Sequence, residues 1–212
     1  ENTSLIPAGE FLMGTEEGTK IERPVHKVYL GKFRISRFEV SNIEFEIFQP
    51  NHTRSVSSPC DQCPVTMVNW FEASSYCKNK NGRLPSEAEW EKAARGPAEY
   101  RYSFGENPDQ SKSNFGHEFQ VGVKAVNSFQ PNGFGLYNMS GNVWEWVDDW
   151  FSFYAKDKKK TRKEGMVFTE KILRGGSWYN TAYYINVGMR FKINPDIKLN
   201  SIGFRCAWDV QQ

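Results

Sequence analysis

The chain has 212 residues, a quarter of them charged, yet its formal net charge at pH 7 is only +2, which argues against nucleic acid or another polyanion as its partner. It is long enough to bury a sizeable core as a single domain spanning 1–212, and no apolar run approaches the length of a membrane span. Aromatic residues make up 15% of the chain, seven of them Trp, so rings packed beneath loops are expected to supply much of the core.

In chain order, Glu1 opens a polar stretch that suits a processed start, and no secretory leader is visible. Strand candidates occupy 9–14, 26–30 and 33–35. Ser41-Asn42-Ile43-Glu44 reads as a helix-starting capping box, with Phe45 and Phe48 behind it and Pro50 as its stop. Cys60-Asp61-Gln62-Cys63 follows in a loop between Pro59 and Pro64. Asn69 starts a second helix that places Ala73, Tyr76 and Cys77 on one face and ends at Asn81-Gly82. Ser86-Glu87-Ala88-Glu89 is a third box, with Trp90, Ala93 and Ala94 facing inward and Gly96 as the stop.

Residues 133–146 crowd Tyr137, Trp144 and Trp146 together with Gly133, Gly135, Gly141, Asn138, Asn142 and Glu145. The run has neither a helical nor a strand period. Irregular backbone is therefore expected there, and its polar groups need partners. A hard cation such as Ca2+ supplies one, because it takes amide, carboxylate and main-chain oxygens together. The basic run at 156–163 reads as a solvated loop, and 171–174 is a further strand candidate. Nearly half the chain is expected to lack regular structure, a high share for a globular protein.

The four cysteines form an even set. Bridged, Cys77 and Cys206 would restrict the unfolded chain by roughly 4–5 kcal/mol in the chain-entropy picture, and an oxidising compartment would follow. Reduced, they would be small buried apolar groups.

Taken in order, several segments resemble the formylglycine-generating enzyme, or sulfatase-modifying-factor, family. They are Gly9-Glu10-Phe11-Leu12-Met13-Gly14, Glu39-Val40-Ser41-Asn42, the stretch from Pro64-Val65 to Trp70, and Gly82-Arg83-Leu84-Pro85-Ser86-Glu87-Ala88-Glu89-Trp90-Glu91. Ala93-Ala94-Arg95-Gly96, the run at 133–146, Arg174-Gly175-Gly176-Ser177-Trp178 and Gly203-Phe204-Arg205-Cys206 complete the set. The resemblance implies an α+β, C-type-lectin-like fold of short helices and small antiparallel sheets, poor in regular secondary structure. It implies a Cys77–Cys206 disulfide. It also implies structural Ca2+ held by the side chains of Asn138 and Glu145 and the carbonyls of Gly141 and Val143. A second calcium site maps onto Asn114, Phe115 and Glu118.

The resemblance breaks at the catalytic centre. Family oxidases use two cysteines shortly after the Gly-Gly-Ser turn, and these hold copper(I), an ion that soft thiolates select. Here Asn180 and Ile185 stand at those places. An amide and an alkyl group neither bind copper(I) nor exchange disulfides, so no catalytic residue and no copper are assigned there. Cys60 and Cys63 read best as a local disulfide that pins their loop, with a copper or redox site and a free dithiol as the alternatives. His26, His52 and His117 are scattered and complete no metal cluster.

The favoured expectation is thus a non-catalytic, extracytoplasmic binding or assembly module stabilised by calcium and disulfides. Ser177, Trp178, Tyr179, Asn180, Tyr183, Tyr184 and Arg190 are its candidate ligand-binding residues, and its partner would be a protein, peptide or glycan. A divergent oxidoreductase, either of the formylglycine-generating type or working at Cys60 and Cys63, is the alternative. A structural subunit of a larger complex is a third.

Overall fold

A computed structural model describes residues 2–154 and 169–210; the basic run at 156–163 lies outside them. The elements are β1 (Thr3–Ile6), β2 (Gly9–Met13), β3 (His26–Leu30), β4 (Phe33–Ser36), α1 (Asn42–Phe48), α2 (Trp70–Asn79), α3 (Glu87–Arg95), β5 (Trp144–Trp150), β6 (Lys171–Arg174), β7 (Phe191–Ile193), β8 (Ile202–Phe204) and β9 (Ala207–Asp209). Together they cover well under half of the described chain, so irregular structure goes beyond the expected share. Among the described residues, no helix is long and apolar enough to cross a membrane.

All three helices begin where the capping boxes place them. Asn69 Oδ1 accepts the Glu72 N–H at 3.0 Å, and Glu72 Oε2 accepts the Asn69 N–H at 3.0 Å. Ser86 and Glu89 make the same exchange at 3.2 and 2.7 Å. At α1, the Ser41 N–H and hydroxyl both donate to Glu44 Oε2, at 3.0 and 2.7 Å. Each exchange satisfies donors that a helix start otherwise leaves open.

The strands form a three-stranded sheet ordered β1-β4-β9, a β2-β3 hairpin and a four-stranded sheet ordered β7-β6-β5-β8. Pairing is antiparallel except between β5 and β8, where Trp144 lies opposite Ile202 in parallel register. The run at 133–146 is therefore not wholly irregular: its last three residues enter β5. Trp144 to Val147 are buried on both faces, and such a strand shows no alternation in sequence.

One core cluster joins Phe45, Tyr76, Trp146, Leu173 and Phe204; a second joins Ile6, Ile35, Trp90, Leu136 and Ile172. The Cys77–Cys206 disulfide ties α2 to the residues between β8 and β9. Cys60 and Cys63 are joined as well. Beneath α3 lies a buried charge network. Arg190 donates to both oxygens of Glu87, Nε to Oε1 at 2.6 Å and an Nη to Oε2 at 2.8 Å, while Arg174 bridges Glu87 and Glu91.

Candidate functional site

Gly175 and Gly176, with φ of 94° and 73°, turn the chain out of β6. A Cβ on Gly176 would stand 2.7 Å from Ile185 Cγ2 and 2.8 Å from the Tyr184 carbonyl. Glycine is what lets the two arms of this turn close on each other. Asn180 Oδ1 accepts both the N–H of Ser177, at 2.9 Å, and its hydroxyl, at 2.7 Å. The Asn180 N–H returns to the Ser177 carbonyl, and the Asn180 carbonyl accepts from the Gly116 N–H at 2.8 Å. Ile185 is fully buried, packed with Tyr102 and Phe115. The two positions that hold thiols in family oxidases are thus a turn-closing amide and a core aliphatic side chain. All four cysteines of the chain are in disulfides.

Of the expected ligand-binding residues, Tyr179, Tyr183 and Tyr184 are exposed, at 36%, 42% and 40%. Phe119, which carries no signal in the sequence, packs beside Tyr179: its ring centroid lies 5.6 Å from that of Tyr179 and 6.1 Å from that of Trp178, while Tyr183 and Tyr184 pack on each other at 5.2 Å. Ser177 and Trp178 are fully buried, and the Trp178 ring meets Tyr179 edge-on with centroids 5.3 Å apart. Arg190 does not belong to the exposed set. Only 2% exposed, it is committed to Glu87 and to the carbonyls of Ile21 and Ser152; it sits as the buried partner of α3, where a charge must be paired. A cleft of about 380 Å³, lined in part by Phe38, Glu44, Ile47, Tyr76, Lys80 and Trp208, involves none of the expected ligand-binding residues.

The loop before β5 closes over a buried polar cluster. Glu145 accepts from Arg205 Nε at 2.7 Å and from an Arg205 Nη at 2.7 Å. Trp90 Nε1 adds a third bond at 2.7 Å. Glu39, only 1% exposed, accepts from Asn138 Nδ2 at 2.9 Å and Asn142 Nδ2 at 2.8 Å. Burial pushes the Glu39 carboxyl up to about 7; the neighbouring charge of Glu145 adds to this, while Arg205 and the two amides pull the other way. Burial weakens the hold of the Arg205 guanidinium on its proton, but Glu145 outweighs it and the pKa lies above the usual arginine range. Glu39, Arg205 and Trp90 were not expected here. The only hint in the sequence is that each of two family-like segments, Glu39-Val40-Ser41-Asn42 and Gly203-Phe204-Arg205-Cys206, carries one charged side chain.

The oxygens proposed for calcium answer to this arrangement. Asn138 turns its NH2 toward Glu39 and the Val126 carbonyl, which leaves its Oδ1 open. Val143 is fully buried and Gly141 is buried, and no donor among the described residues reaches either carbonyl. Buried carbonyls without donors are what a hard cation satisfies. No group of three or more His, Cys, Asp or Glu side chains suited to a metal occurs among the described residues, so a cation here would be held mainly by neutral oxygens. At the second mapped site, Asn114 is buried with its Oδ1 unpartnered. The Phe115 carbonyl instead accepts from Gln110 Nε2 at 2.8 Å, and Glu118 is exposed. The donor set there is incomplete.

Residues 1–210 match the sulfatase-modifying factor enzyme 1-like domain family. The chain is 34% identical over 97% of its length to the serine/threonine-protein kinase pkn1 of Chlamydia pneumoniae, of which it spans only 38%. It is 30% identical over 97% of its length to the formylglycine-generating enzyme of Streptomyces coelicolor, covering 88% of that protein. It is 28% identical over 95% of its length to the inactive C-alpha-formylglycine-generating enzyme 2 of Mus musculus, covering 84% of it. Among solved structures, Treponema denticola variable protein 1 shares the fold, with a TM-score of 0.83 at 24% identity over 97% of this chain and 94% of that one.

Proposed function

Because the chain belongs to the sulfatase-modifying factor enzyme 1-like family yet keeps no free thiol, we propose that it is a non-catalytic member that works as a binding or assembly module. The observation that carries this reading is the fate of the two thiol positions. Asn180 closes the turn through Ser177 and Ile185 fills the core. Neither is a ligand for a soft metal. The family holds both formylglycine-generating enzymes and a relative named as inactive, so membership alone leaves the activity open.

The binding surface is built from exposed rings: Phe119 and Tyr179, which pack with Trp178, and Tyr183 and Tyr184, which pack on each other. Exposed tyrosines offer a flat apolar ring and a hydroxyl at small cost in side-chain entropy, which suits a protein, peptide or glycan partner. Ca2+ on Asn138 Oδ1, the Gly141 and Val143 carbonyls and Glu145 would cross-link the loop to β5 and supply no chemistry. The two disulfides support an extracytoplasmic setting.

The test is a screen of the full chain on glycan and peptide arrays, beside a Tyr179→Ala/Tyr183→Ala variant. The expected result is a ligand bound by the wild type and lost, by about tenfold or more in affinity, in a variant with an unchanged melting curve. Equal binding by both proteins would move the site elsewhere.

A further inference from the structure

The two disulfides differ in character. Cys77 and Cys206 are 0% and 1% exposed and join points 129 residues apart. Cys60 is exposed, while Cys63, its partner three residues on, is 4% exposed. Thiol–disulfide exchange needs a thiolate to reach one of the sulfurs, so access decides which bridge reacts. A three-residue loop also restricts the unfolded chain far less than a 129-residue one. Less folding free energy therefore opposes its opening.

Contacts around the short bridge lead to the aromatic face. The Cys63 side chain packs with Val123, Val143 and Trp178. The Val123 N–H donates to the Ser57 carbonyl at 2.9 Å, and the Val126 N–H to the Gln62 carbonyl at 2.8 Å. On the other side, Asn42 Nδ2 donates to the Cys60 carbonyl at 2.9 Å, and Arg54 pairs with Asp61 at 2.8 Å. The loop is anchored by these bonds whether or not the sulfurs are joined. Opening the bridge is thus expected to loosen the loop without unfolding the domain.

We propose that Cys60–Cys63 is a thiol-exchange site, open to small thiols and to protein dithiols, whose redox state sets the rigidity of the support beneath Trp178. A thiolate attacks the sulfur of the exposed Cys60. The new sulfur–sulfur bond forms as the Cys60–Cys63 bond breaks, and Cys63 leaves as a thiolate that takes a proton from solvent. A second thiol of the reductant then displaces Cys60. The protein gains two electrons and two protons, and the reductant departs as a disulfide. Nothing in this depends on the aromatic face having found a ligand.

The experiment titrates the native full chain with dithiothreitol, caps free thiols with iodoacetamide and maps them by mass spectrometry. Cys60 and Cys63 are expected to be labelled at about tenfold less reductant than Cys77 and Cys206. Hydrogen exchange then compares the oxidised protein with the selectively reduced one and with a Cys60→Ser/Cys63→Ser variant. Faster exchange at Val123 and Val126, with α3 unchanged, is expected in both. If the variant fails to fold, the selectively reduced wild type gives the same reading. Simultaneous opening of the two bridges, or no opening short of unfolding, would overturn the exchange site. Equal exchange at Val123 and Val126 in the oxidised and reduced proteins would overturn the coupling to Trp178.

Discussion

Glu145 accepts three hydrogen bonds in a site closed to solvent, two from Arg205 and one from Trp90. Glu145→Gln would take from the buried Arg205 guanidinium the carboxylate that it bonds, a loss of about 3–5 kcal/mol, read by urea unfolding. The variant therefore does not report on calcium by itself; a chelator added to the wild type does. A lower melting temperature after chelation is expected if calcium binds the folded chain, and elemental analysis of the untreated protein identifies the ion. Glu39 sets a pH dependence. Its folded pKa of about 7 lies above the ordinary 4.5, so the folded state keeps a proton that the unfolded chain gives up. The stability it contributes is full below about pH 4.5 and is lost as the pH rises through about 7, by about 3 kcal/mol in all. Glu39→Gln is expected to flatten that slope in denaturant titrations between pH 4 and 8. The sequence did not pair Glu39, Arg205 and Trp90 with their partners because each partner is contributed by a distant segment. The amides Asn138 and Asn142 were conspicuous because they sit among glycines.

At the scale of elements, the helices were legible and five of the nine strands were not. A capping box is local chemistry, and Ser41, Asn69 and Ser86 all start helices. Ser86→Ala is expected to cost about 1 kcal/mol, measurable by thermal or urea unfolding. The strands β1, β7, β8 and β9 span only three or four residues each and exist because another strand lies beside them. Central β5 escaped notice for a different reason: both its faces are buried over its first half, and its register shifts between Trp146 and Trp150. The turn after β6 joins sequence to site. Gly176→Ala would drive a Cβ into Ile185 Cγ2 at 2.7 Å from a left-handed backbone. A destabilisation of about 2 kcal/mol or more is expected, with weaker packing of Tyr183 and Tyr184 visible as faster amide exchange.

At the scale of the whole molecule, the order of motifs along the chain was enough to read the fold, while the surface was only partly readable. Tyr179, Tyr183 and Tyr184 are exposed, Arg190 is folded into the charge network under α3, and Phe119 packs beside Tyr179 from a loop with no signature. Charged residues inside family motifs, Glu39, Glu145 and Arg205, are buried and bonded to one another's segments. The family fold is retained, while the two positions at which the resemblance places thiols hold a turn-closing amide and a core side chain. The most direct measurement incubates the full chain with copper(I), oxygen and a cysteine-containing peptide and weighs the peptide by mass spectrometry. The expected result is a peptide altered no more than in a protein-free control; conversion of its thiol to an aldehyde would contradict the assignment.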